Sequence, residues 1–265
     1  MKKSVKIMLS VLCVVFLGVF AFSGYKIYST LHEYKVAEKA YSNLSNQYVS
    51  KSDKDKDDKN SSDKNAELVD PLSKEETSPI SVDFTALQNE CEDIIAWLYG
   101  PDTVIDYPIV HAEDNFFYLR RMINGEYNPS GTLFIDCLNE GDFSSQNTLL
   151  YGHNMHDGSM FASMRNYDQQ EYYDAHPILY MNTPEQNYRI EVFAAYITDA
   201  DSDTYTMNFG SQPAYAEYLK KVVSQSLIKT DVTPEVSDHI ITFSTCTYEY
   251  ADARFVVLGR LVPIN

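Results

Sequence analysis

Positive charge is scarce where a nucleic-acid binder would need it. Residues 81 to 265 hold nine Lys and Arg against 27 Asp and Glu, so essentially all of the chain's net charge of −17 falls there. Lys and Arg are what hold a phosphate backbone or an anionic membrane surface, and this balance excludes both as partners of that region. It reads instead as a solvated acidic surface. Cysteine is scarce as well, with four in 265 residues, too few for a disulfide scaffold. No cluster of His, Cys and carboxylates has ligand spacing, so nothing calls for a metal, and no cofactor is expected. There is no internal repeat.

Charge is absent altogether from Ile7 to Tyr25, "IMLSVLCVVFLGVFAFSGY", nineteen residues close to the ~20 that cross a bilayer as a helix. Lys2, Lys3 and Lys6 precede the run, which places the N-terminus in the cytoplasm and everything after Lys26 outside. A cleaved signal peptide is the alternative, with "AFS" at Ala21 to Ser23 as its site. The run exceeds the 7 to 15 residues usual for a signal-peptide core, and a single-pass signal-anchor is the expectation. Residues 27 to 80 then read as a helical stalk followed by a charged, disordered linker over 51 to 78, poor in anything to bury. The third region, 81 to 265, has the size of one domain. The expected division is therefore 1–26, 27–80 and 81–265.

Within that domain, "DFTALQNECEDIIAWLYG" (83 to 100) predicts one helix with Asp83 as its N-cap and Phe84, Leu87, Cys91, Ile94, Ile95 and Leu98 on a buried stripe. Strands are predicted over 103–111, 131–137, 147–153, 188–198, 239–246 and 254–262, with an amphipathic helix over 212–227. Many short β-branched and aromatic runs separated by turn signals point to a mainly β fold with peripheral helices, a barrel or a sandwich.

Three cysteines lie outside the apolar run, an odd number, which in an exported protein points to a free thiol. Cys246 ends the run "HIITFSTC". In a strand its side chain shares a face with Ser244, while Phe243 and Thr245 share the other. If the chain turns back around Tyr250, Cys246 and Arg254 fall opposite one another, and a guanidinium beside a thiol favours the thiolate. Arg260 lies on the same strand face but farther from the turn. A thiol nucleophile also needs a base. His111, His176 and His239 read as structural or exposed, and His156 is a weaker candidate. His153 ends a buried strand beside Gly152, a position where active-site residues collect.

The segments "LLYGHNM" with His153, "FSTCTYE" with Cys246, and Arg254 on the following strand resemble the sortases, the membrane-anchored cysteine transpeptidases of Gram-positive bacteria. "WLYGPDTVIDYPIV", "DNFFYL", "GTLFID" and "YGHNMHDGSMFA" occur in the order of the class B members, and the helix at 212–227 matches the extra helix that class B enzymes carry before the cysteine strand. The resemblance spans 83 to 262. It implies an α+β fold built on a closed β-barrel of about eight strands, with an N-terminal helix. It implies that Cys246 cleaves a C-terminal sorting signal of secreted proteins after threonine through a thioacyl-enzyme, and that an amine of peptidoglycan takes over the acyl group. His153, Cys246 and Arg254 are the implied catalytic residues. Ser244, Thr245, Tyr248 and Glu249 are candidates for substrate contact, with Glu249 and Asp252 also readable as turn builders. Pilin polymerisation, simple hydrolysis by the same residues, and a non-enzymatic membrane-tethered wall-binding domain remain alternatives.

Overall fold

Residues 3–51 and 77–265 are described by the structure, a computed structural model. The first element is one long helix, α1 (Lys3–Tyr48), whose N-terminal part exposes Phe16, Leu17 and Phe20 on every side. It is long and apolar enough to cross a membrane. Farther along, the same helix changes character. Ala37 and Tyr41 are buried to 3% exposure against the domain, and the Tyr41 hydroxyl donates to the Gly131 carbonyl at 2.5 Å. The stalk is thus a docked helix that continues the apolar run without a break. The strand β1 (Val49–Lys51) follows it directly and pairs with β2 (Ile80–Val82). The charged linker expected over 51–78 falls almost wholly on residues 52–76, outside the described residues.

The single helix expected over 83–100 is corrected. Only α2 (Phe84–Glu90) is helical, with Asp83 capping it by accepting from the Ala86 N–H at 3.0 Å, and the chain goes extended at Cys91. Ile94–Tyr99 is instead β3, paired with β4 (Asp106–Val110) on one side and β7 (Ile178–Asn182) on the other. β-branched Ile94 and Ile95 with aromatic Trp97 and Tyr99 suit a strand buried on both faces, and such a strand shows no alternation to set it apart from a helix. Cys91, expected in the core, is half-buried and sits 3.3 Å from the Tyr118 hydroxyl.

The remaining elements are β5 (Leu133–Ile135), β6 (Asn147–Tyr151), a 3₁₀ turn at Ala162–Asp168, α3 (Gln170–Ala175), β8 (Asn187–Asp199), a 3₁₀ turn at Asp203–Tyr205, α4 (Gln212–Gln225), β9 (Ile240–Cys246) and β10 (Ala253–Ile264). The eight strands β3 to β10 close into a barrel in the order β10-β8-β7-β3-β4-β5-β6-β9. Only β4/β5 and β6/β9 run parallel. Closure pairs each of these eight strands on both sides, so the barrel has no edge strand. Ile241, Phe243, Phe255 and Val257 point into the barrel core. Ile240, Val256 and Leu258 point outward, where Tyr215, Tyr218 and Leu219 of α4 cover them. Ser244, Cys246 and Arg254 share that outward face by the period of two, just beyond the end of the α4 cover.

Candidate active site

The β9/β10 ladder ends with Cys246 directly opposite Arg254, the register expected from the turn about Tyr250. On the other side of β9, the parallel strand β6 ends with Tyr151 opposite Ser244. His153 lies two residues beyond Tyr151, as Cys246 lies two beyond Ser244, so the register carries the histidine to the level of the thiol. Gly152 makes this possible. A Cβ there would fall 2.5 Å from the Phe161 ring and 2.6 Å from Leu133, so only glycine lets the chain pass. Two further bonds hold the strand ends together: Gly152 N–H to the Ser244 carbonyl at 3.2 Å and the Asn154 side-chain amide to the Cys246 carbonyl at 2.9 Å.

His153, Cys246 and Arg254 line one cavity of about 340 Å³, with Ser244 and Thr245 also in its wall. The Cys246 thiol is free and half-buried. His153 Nε2 lies 2.6 Å from the Leu119 carbonyl. A carbonyl can only accept, so Nε2 carries the hydrogen and Nδ1 is the nitrogen left to exchange a proton. Burial pushes the imidazole below its ordinary value; the Leu119 bond opposes this and the nearby Arg120 charge adds to it. The cavity thus disfavours the imidazolium.

The four substrate-contact candidates separate. Ser244 faces the cavity and shares a 2.9 Å hydrogen bond with the Tyr205 hydroxyl. Thr245 is buried with its Oγ1 unpartnered. Tyr248 is exposed and stacks on His156, ring centres 6.3 Å apart. Glu249 pairs with Arg165 at 2.7 Å and accepts the Thr247 hydroxyl, which together hold its carboxyl below the usual range. Neither Tyr248 nor Glu249 lines the cavity. Tyr205 is the residue that sequence reading missed. It lies 41 positions before Cys246, at the end of a 3₁₀ turn, and nothing local signals its approach. The same holds for Asp136, which also lines the cavity and accepts from the Tyr151 hydroxyl and the Asn115 amide, each at 2.9 Å. Among the described residues no group of three or more His, Cys, Asp or Glu is placed to hold a metal ion.

The sortase domain family matches residues 98–262. The chain belongs to the sortase family. Its relatives are sortases B: it is 36% identical to sortase B of Listeria monocytogenes, over 95% of each chain. Among solved structures it resembles sortase B of B. anthracis, with a TM-score of 0.71 and 33% identity over 88% of this chain and 99% of that one. A sortase B–substrate complex of Staphylococcus aureus superposes with a TM-score of 0.66 at 30% identity, over 69% and 85% of the two chains. The closed eight-stranded barrel is therefore the sortase fold, and this sortase is a transpeptidase. Its extra helix is α4, between β8 and the cysteine strand β9.

Proposed function

We propose that this sortase cleaves a threonine-containing sorting signal near the C-terminus of secreted proteins and passes the acyl group to an amine of the cell wall. One observation carries the reading: the strand register that sets Cys246 opposite Arg254 and brings His153 to the same end of the barrel. The Cys246 thiolate attacks the threonine carbonyl carbon, and the Arg254 guanidinium offers fixed donors to the oxygen that gains charge. The intermediate collapses by breaking the C–N bond. The leaving amine takes a proton from His153 Nδ1, and the acyl group remains on sulfur as a thioester. An incoming amine gives its proton back to Nδ1, attacks the same carbon and expels the thiolate, which restores the enzyme.

The lowered pKa of His153 shapes this cycle. An unperturbed imidazole is about one tenth protonated at pH 7.5, and burial takes the free enzyme below that share. The proton-donating form is scarce at rest, so slow turnover is expected. Ser244, tied to Tyr205, presents a hydroxyl on the cysteine's strand face to the bound peptide. The N-terminal half of α1 anchors the protein in the cell membrane, with Lys2, Lys3 and Lys6 on the cytoplasmic side and the barrel outside.

A pool of fluorogenic threonine-containing peptides, with and without diaminopimelate or triglycine, tests the proposal. Cleavage that requires Cys246 and yields an amine-joined product supports it. Release with water even at saturating amine would make the enzyme a hydrolase on these peptides, and no cleavage across the pool would contradict the threonine-containing signal.

A further inference from the structure

The turn from 247 to 252 carries none of the three catalytic groups, yet it joins the two strand ends on which Cys246 and Arg254 sit. Past that pair the ladder continues by one bond, Thr247 N–H to the Ala253 carbonyl at 3.1 Å, and Asp252 takes a left-handed φ of 59° to close the turn. Tyr248, though stacked on His156, is 72% exposed, so packing alone gives the turn little hold. It is held by polar contacts instead. Glu249 receives the Thr247 hydroxyl from within the turn and the Arg165 guanidinium, 2.7 Å away, from outside it. The same guanidinium lies 5.3 Å from the centre of the Phe255 ring, the residue next to Arg254.

Arg165 belongs to the 3₁₀ turn Ala162–Asp168. That turn follows Phe161, whose N–H bonds the His153 carbonyl at 2.9 Å. One guanidinium therefore links the segment leaving His153 to the residue after next from Cys246's neighbour Thr247 and to the neighbour of Arg254. Its side chain is 26% exposed and that of Glu249 36%, and a pair so open to water adds little stability. Its consequence is one of position. We propose that Arg165 is a positioning residue for transpeptidation, holding the β9–β10 turn through Glu249 and Phe255 so that Cys246 and Arg254 keep their places against His153. This rests on the roles given to those three residues under the proposed function.

The test uses the full chain in detergent, with a sorting peptide that the wild type cleaves and four variants: Arg165→Gln, Arg165→Lys, Glu249→Gln and the Arg165→Gln/Glu249→Gln double. Arg165→Gln and Glu249→Gln should each lower kcat about tenfold, with KM and Tm close to wild type, since small misplacements at a reacting centre fall on kcat. The double variant should be no worse than either single, and Arg165→Lys should recover most of the loss. A kcat loss without a Tm or KM change is what a merely structural pair would not produce. Wild-type kcat in Arg165→Gln, multiplied losses in the double, or an effect confined to KM would overturn the proposal. If Arg165→Gln fails to fold, Glu249→Gln, on an exposed turn, decides by the same measurements. Failure of the wild type to form any acyl adduct would instead remove the proposed function itself.

Discussion

Strand register sets Cys246 against Arg254, Gly152 lets His153 into the same cavity, and each of the three should fail differently when changed. Arg254→Lys keeps the charge but loses the planar fork, and kcat/KM for a sorting peptide should fall by about 10²-fold. His153 should titrate below the ordinary 6.5 of a free imidazole, because burial opposes its charge. Above pH 6.5 the ring is neutral both folded and unfolded. As pH falls below that, the unfolded ring binds its proton first, so the His153 contribution to stability is lost between pH 6.5 and the lower folded value. An NMR titration of the ring, with unfolding curves of wild type and His153→Gln from pH 7.5 to 5, checks both points. The opposition of Cys246 and Arg254 was legible by counting outward from Tyr250, and His153 by its place after Gly152. The lowered His153 pKa was not legible, because it depends on burial by residues distant in the chain and on the nearby Arg120 charge, with the Leu119 carbonyl opposing both.

At the scale of elements, β3 shows where pattern reading stops. Ile94, Leu98 and Trp97 are all fully buried, because the strand has the core on one side and the α2 and β2 layer on the other. A run buried on both faces carries no period, so the helical stripe begun in α2 continued into it on paper. β8 and β9, in contrast, were marked by β-branched and aromatic residues between clear turn signals. Two elements support quantitative expectations. Asp83→Ala removes the α2 cap and should cost about 1 kcal/mol in chemical denaturation. Gly152→Ala forces a Cβ against Phe161 and Leu133 and should cost about 1–3 kcal/mol, with a fall in activity larger than the stability loss accounts for, because His153 is the next residue.

For the whole molecule, α1 is both the apolar N-terminal helix and part of the domain's packing. Composition marked its apolar run and its helical continuation, but not that the continuation docks on the barrel, since Glu38 and Lys39 lie between Ala37 and Tyr41 and mostly Ser, Asn and Gln between Tyr41 and Tyr48. A soluble chain beginning near residue 27 should therefore be more stable than one beginning at 81. Losing the burial of Tyr41 and Tyr48 is worth on the order of 3 kcal/mol, or roughly 6–12 °C in Tm for a domain of this size. Equal melting temperatures for the two chains would show that the docked segment adds nothing.

Whether Cys246 carries the acyl group is decided by intact-protein mass spectrometry. The chain would be mixed with a threonine-containing sorting peptide in the absence of amine, quenched in acid and weighed, beside Cys246→Ala. The wild type should gain the mass of the peptide's N-terminal fragment less one water, mapped to Cys246, lost when triglycine or diaminopimelate is supplied and absent from the variant. Peptide cleavage with no adduct on Cys246, or an adduct that survives in Cys246→Ala, would contradict acylation of Cys246.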